Sequence, residues 1–109
     1  MIRKRRYSVY IIELHPEVLG VRKFMNENPG YIEGMQCLYV GQTATTPEQR
    51  FEQHKKGYKA NKYARCFGLR LRPELYERYN PIATREKAEE MEAWLAHRLR
   101  NRGYAVWYN

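Results

Sequence analysis

The chain has 109 residues, with 20 Lys and Arg against 12 acidic side chains and a formal net charge of +8. That length suits one domain around one core, and the cation surplus draws polyanions, because each Lys or Arg that meets a phosphate releases counterions. All 12 acidic residues are Glu, so an Asp nucleophile, an Asp metal pair and a Ser-His-Asp triad are excluded, barring Glu in their place.

Arg3, Lys4, Arg5 and Arg6 form a basic cluster ahead of a short apolar run that breaks at Glu13. The run is too brief for a secretory signal or a membrane span, and a cytoplasmic protein without membrane attachment is expected. Tyr7–Leu14 is β-branched and aromatic and reads as a strand. It contains Ser8, the lone serine, which therefore does not sit in a nucleophile turn. From His15 to Gln36 the composition is mixed. Pro16 opens a short helix carrying Val18, Leu19, Phe24 and Met25 on one side, and Asn28-Pro29-Gly30 closes it. Cys37–Val40 reads as a second strand stopped by Gly41.

Thr46-Pro47-Glu48-Gln49 has the form of a capping box with proline at the first helical position, which predicts a helix to about Lys56, ended by Gly57. A basic, aromatic segment follows, Tyr58–Arg65, read as partly helical. Phe67–Leu71 alternates apolar and basic residues, as a half-exposed strand does. A further element is expected near Tyr76–Tyr79. Thr84 caps the last helix, Arg98, Arg100 and Arg102 favour its negative end, and Gly103 stops it. Tyr104–Tyr108 is then a final strand or an extended tail. Cys37 and Cys66 lack the spacing of a zinc knuckle and are flanked by apolar residues, so two buried, reduced thiols are expected.

The last helix holds a carboxylate where none belongs. At 100° per residue Ala88, Met91, Leu95, Ala96 and Leu99 form one apolar stripe, and Glu92 falls inside it. Facing a carboxylate into a core costs several kcal/mol in effective terms unless a cation or hydrogen bonds compensate it. The partner is either an arginine in a structural ion pair or a divalent metal on the floor of a cleft. On the preceding helix Arg50 and His54, four residues apart, project from one face. A guanidinium beside an imidazole suits developing phosphoryl charge and its proton traffic. With Glu52, Lys55 and Lys56 nearby, a merely solvated face is the competing reading.

The order Ser8-Val9-Tyr10, Tyr39-Val40-Gly41, Arg50-x-x-x-His54, Glu92 and a terminal Asn109 resembles the GIY-YIG nuclease family. Ala88-x-x-x-Glu92-x-x-Leu95 also looks like that family's metal-binding helix. The resemblance implies an α/β (α+β) sandwich with a central three-stranded antiparallel sheet flanked by helices. It also implies one divalent metal, Mg2+ or Mn2+, used to hydrolyse DNA. By the same resemblance Tyr10 is the general base that activates water, and Tyr39 positions water or phosphate. Gly41 gives a tight turn, Arg50 neutralises the transition state, and His54 hydrogen-bonds Tyr10 or relays its proton. Glu92 holds the metal and Asn109 braces the site. A free phenol with a pKa of about 10 is a poor base at neutral pH, so Tyr10 needs nearby positive charge, from Arg50 or the metal, to ionise more readily.

Two departures stand out. Ser-Val-Tyr replaces Gly-Ile-Tyr, which keeps the phenol. A long connection separates the two motif tyrosines, so a single domain over 1–109 carries an insertion at about 15–36. That insertion shapes substrate access, makes a dimer contact, or is padding.

Nucleic acid is expected to meet Lys55, Lys56, Lys59, Lys62 and Arg65, interleaved with Tyr58 and Tyr63, together with Arg3, Lys4, Arg5 and Arg6. Lysines suit phosphates, and tyrosines suit stacking. No separate reader module is recognisable, so specificity is left to the insertion, to a homodimer or to a partner protein. An endonuclease acting on DNA is the leading reading. The alternatives are a non-catalytic nucleic-acid-binding module with the same fold and an RNA-associated structural protein.

Overall fold

A computed structural model describes residues 6–109. Strand β1 (Ser8–Leu14) pairs antiparallel with β2 (Cys37–Thr43), from Ser8 opposite Thr43 to Leu14 opposite Cys37. Val9, Ile11 and Ile12 of β1 and Leu38 and Val40 of β2 have no exposed surface, which marks both as central strands covered on two faces. Each such side chain contributes roughly 1.5–3 kcal/mol by leaving water. Strand β3 (Gly68–Leu71) pairs antiparallel with the other side of β1, with an irregularity at Glu13 and Leu14. The expected antiparallel trio is therefore present. A fourth strand, β4 (Ala105–Tyr108), runs parallel to β2 and completes the order β3-β1-β2-β4.

The connection between β1 and β2 holds a 3-10 turn at Pro16–Gly20 and a short helix α1 (Arg22–Asn26), so the expected single helix is broken at Val21. Val18 and Phe24 reach the core, and Asn28 covers the outer edge of β4. Its Oδ1 accepts from the Val106 amide at 2.7 Å, while its Nδ2 donates to the Val106 carbonyl at 3.1 Å and the Phe24 carbonyl at 2.9 Å. The Arg100 guanidinium donates to the same Val106 carbonyl at 2.8 Å. A bare strand edge invites pairing with another chain, and these side chains occupy it.

Helix α2 (Pro47–Lys56) starts at the capping box, with Thr46 Oγ1 accepting from the Gln49 amide and Gln49 Oε1 accepting from the Thr46 amide. It ends at Gly57, whose φ of 82° favours glycine. Helix α3 (Lys62–Phe67) follows directly, capped by Asn61. Two 3-10 turns, Pro73–Leu75 and Glu77–Tyr79, lead to the long helix α4 (Arg85–Asn101), capped by Thr84. Helices α1, α2 and α3 lie over the sheet face that carries Tyr10 and Tyr39, as the Tyr10–His54 and Phe24–Tyr63–Trp107 contacts require. Helix α4 packs on the opposite face, against β1, β2 and β4. No described helix is long and apolar enough to cross a membrane.

Three local readings are corrected. Strand β2 does not stop at Gly41 but runs through it to Thr43. Cys37 is buried as expected, whereas Cys66 is exposed, because α3 turns it away from the sheet. Tyr63 is only 3% exposed, packed edge-on to Phe24 and tilted against Trp107, so it has no free face for a base.

Candidate functional site

Strand β4 ends opposite Val40, where Tyr108 pairs with it, and leaves the last residues of β2 without a neighbour on that side. At this free edge the two faces of the sheet communicate. Tyr10 lies opposite Gly41 and crosses it, in space that a Cβ would fill. A cleft of about 250 Å3 opens there, lined by Tyr10, Tyr39, Gln42, Arg50, Glu89, Glu92 and Asn109. Five of the six expected catalytic residues thus meet in one cleft. The sixth, His54, stands behind it, fully buried, with Nε2 at 2.8 Å from Tyr10 Oη.

The phenols are held firmly. Their ring centres lie 6.2 Å apart, and Tyr39 packs edge-on against the His54 ring at 5.5 Å. Tyr39 Oη accepts from Asn109 Nδ2 at 2.8 Å, and Asn109 Oδ1 accepts from Asn61 Nδ2 at 3.4 Å. Burial holds the Tyr10 hydroxyl far above a phenol's usual 10; Tyr39 adds to the rise, and Arg50 opposes it without prevailing. Tyr39 is pushed up to about 12, first by burial and then by the charge of Glu92. Arg50 thus acts in the expected direction, favouring ionisation of Tyr10, but burial outweighs it. Desolvation of a nearly enclosed oxygen outweighs a guanidinium at the rim. His54 is pushed down to about 4 by burial and then by Arg50, so its imidazole is neutral at pH 7.

Arg50 leaves α2 toward the following loop. Its guanidinium donates to the carbonyls of Tyr58 at 3.1 Å and Lys59 at 2.8 Å and to Gln53 Oε1 at 3.2 Å. Three acceptors fix the orientation of a fork that a lysine could not reproduce.

Glu92 is 7% exposed among Ala88, Leu95, Ala96 and Leu99 on α4. Among the described residues no ion pair involves it. Burial pushes its carboxyl up to about 7; the Asn109 backbone amide acts against that rise and Glu89 adds to it. A buried carboxylate at a cleft floor, with no ion-pair partner among the described residues, suits a cation ligand. Among the described residues no three His, Cys or Glu side chains converge. Glu92 offers the cleft a carboxylate, a hard oxygen donor of the kind that divalent ions such as Mg2+ and Mn2+ take.

The basic residues divide. Arg3, Lys4 and Arg5 lie outside the described residues, and Arg6 is exposed just ahead of β1. Lys56, Lys59, Lys62 and Arg65 are exposed around the loop between α2 and α3. Lys59 Nζ lies 5.6 Å from the centre of the Tyr58 ring, itself 57% exposed. Lys55 is engaged locally, paired with Glu52 at 3.0 Å and set 4.9 Å from the centre of the Phe51 ring.

Three contributors escape a reading of the sequence. Gln42 and Glu89 line the cleft, and Asn61 connects its parts. Asn61 carries a local signal as the cap of α3, but nothing in its surroundings along the chain announces contacts with His54 and Asn109.

The family model described as the GIY-YIG catalytic domain matches residues 6–105 of the chain. No curated protein and no solved structure matches it significantly.

Proposed function

The chain belongs to the GIY-YIG catalytic-domain family, whose members are nucleases, and on that premise we propose that it is a divalent-metal-dependent endonuclease acting on DNA. One observation carries the reading. Glu92 is buried, lacks an ion-pair partner among the described residues, and opens on the same cleft as Tyr10, Tyr39 and Arg50. A buried carboxylate without an ion-pair partner is costly, so its place in the apolar stripe calls for a compensating cation. The cost is offset if Glu92 anchors the metal.

The chemistry follows from the side chains. A scissile phosphate entering the cleft meets Arg50, whose charge opposes the negative charge that builds as water attacks phosphorus. Tyr39, supported by Asn109, donates to the phosphate or orients the water. Tyr10 takes the proton of that water. It must first release its own to solvent in the cleft, and the ionised oxygen is then stabilised by His54 at 2.8 Å and by the field of Arg50. Glu92 would hold a divalent ion, which when bound would supply Lewis-acid stabilisation of the phosphate and of the departing oxygen. Water's oxygen bonds to phosphorus, the bond from phosphorus to O3′ breaks with its electron pair going to O3′, and O3′ takes a proton from solvent in the cleft, so that 5′-phosphate and 3′-hydroxyl ends result. The exposed cations Lys56, Lys59, Lys62 and Arg65 hold the flanking backbone.

The test is nicking of supercoiled plasmid in Mg2+ or Mn2+ by the wild type and by Glu92→Gln. The wild type is expected to nick, and the variant to lose at least about 100-fold, the scale of losing a main electrostatic contributor. Equal metal-dependent nicking by both proteins overturns the site. Binding without cleavage by both, with steep salt dependence, assigns the chain to the non-catalytic binding class instead.

A further inference from the structure

We infer that Asn61 is a positioning residue of this cleft: its backbone amide sets the tautomer of His54, and its side chain sets the orientation of Asn109, so that each motif phenol receives an N–H. The inference rests on the nuclease reading for its purpose, but not for its geometry.

A neutral imidazole has one N–H and one bare nitrogen, and the hydrogen bond at one fixes the state of the other. The Asn61 amide donates to His54 Nδ1 at 3.1 Å. A backbone N–H cannot accept, so Nδ1 is the bare nitrogen and the proton sits on Nε2. Nε2 is 2.8 Å from Tyr10 Oη, so the imidazole donates and the phenol oxygen accepts. The hydrogen of Tyr10 therefore points away from His54. In this arrangement Nε2 has no lone pair with which to take the Tyr10 proton. A doubly protonated ring would set its Nδ1–H against the Asn61 N–H. His54 is thus a donor to the phenol and a ready partner for a phenolate, not a relay for its proton.

The side chain of Asn61 extends the same logic. Its Oδ1 accepts from the amides of Tyr63 at 2.8 Å and Ala64 at 3.1 Å, which fixes the amide's orientation without ambiguity. Its Nδ2 must then face Asn109, which presents Oδ1 in reply and turns its own Nδ2 to Tyr39 Oη. Two series of hydrogen bonds, one ending on each phenol, start from one residue of the loop between α2 and α3.

The backbone of Asn61 has φ −69° and ψ 136°, values that proline adopts freely. Asn61→Pro therefore deletes the N–H, whereas Asn61→Ala keeps it and deletes only the side chain. The measurement is the imidazole 15N spectrum of the 109-residue, metal-free chain at pH 7, with His54 identified by its absence in a His54 variant. We expect the wild type and Asn61→Ala to show Nδ1 bare and Nε2 protonated, and Asn61→Pro to show a mixture or the opposite tautomer. In cleavage, Asn61→Pro is expected to lower kcat by roughly tenfold or more beyond Asn61→Ala, a fraction of what proton-transfer groups contribute, with KM little changed. A wild-type His54 protonated on Nδ1, or charged, overturns the inference whether or not the proline variant folds. So does a folded Asn61→Pro that keeps the wild-type tautomer. Failure of the nuclease reading is distinguishable: Glu92→Gln would then cut like wild type while the His54 spectrum stays as expected.

Discussion

A methyl group on Gly41 would fall 2.5 Å from both Cζ and Oη of Tyr10, far inside van der Waals contact. The phenol cannot simply retreat, because its oxygen is bonded to His54 and its ring is packed beside Tyr39. Glycine is required here by the approach of a side chain from the neighbouring strand, in a residue that stays within β2. Gly41→Ala is expected to cost about 1–3 kcal/mol of stability, as overpacking does. It is also expected to cut the nicking rate about 100-fold through misplacement of the phenol. Urea unfolding and plasmid nicking read the two effects; an unchanged rate in a folded variant would remove Tyr10 from the chemistry.

Arg50→Lys keeps the charge and loses the fork that meets the Tyr58 and Lys59 carbonyls and Gln53. If orientation matters as much as charge, nicking falls by roughly 10–100-fold. Retention of near-native rates by the lysine variant would mean that Arg50 acts only as a point charge.

The buried imidazole makes stability depend on pH in a definite direction. His54 in the unfolded chain takes a proton near 6.5, whereas in the folded protein it resists until about 4. Between those values the unfolded chain binds the extra proton, so this contribution is complete above pH 7 and is lost as pH falls from 6.5 to 4. The full loss is about 3 kcal/mol. His54→Phe lacks the contribution, so its urea midpoint should decline less steeply than that of the wild type over that range. Parallel curves for the two proteins would show that His54 is not held neutral by the fold.

Lys59 and Lys62 are exposed beside the loop that carries Arg50's acceptors. Replacing both by Ala is expected to raise KM and to flatten the slope of log K against log salt by about 0.9 for each phosphate no longer neutralised. Fluorescence anisotropy over a salt series measures the slope. A collapse of kcat with an unchanged slope would move these lysines from substrate binding into the reaction itself.

What was legible in the chain was what neighbouring residues decide. Thr46 and Gln49, Thr84, and the 3.6-residue stripe that holds Glu92 are local patterns, and the helices form where they point. The β-branched and aromatic run of β1 is equally local. What was misread depended on residues far along the chain. Gly41 resembles a strand terminator until Tyr10 is placed over it, and Tyr63 resembles a stacking platform until Phe24 and Trp107 enclose it.

By itself the sequence determined which residue types were on hand for chemistry, and that Glu92 would face inward, because helical periodicity is a property of a few turns. The tertiary structure alone decided that β4 would join parallel to β2 and stop short, opening the cleft at that edge. It alone brought His54 to Tyr10 across 44 residues and Asn109 to Tyr39 across 70. It alone raised the pKa of both phenols and lowered that of the imidazole, because the loss of solvent that shifts them comes from elements that meet only after folding.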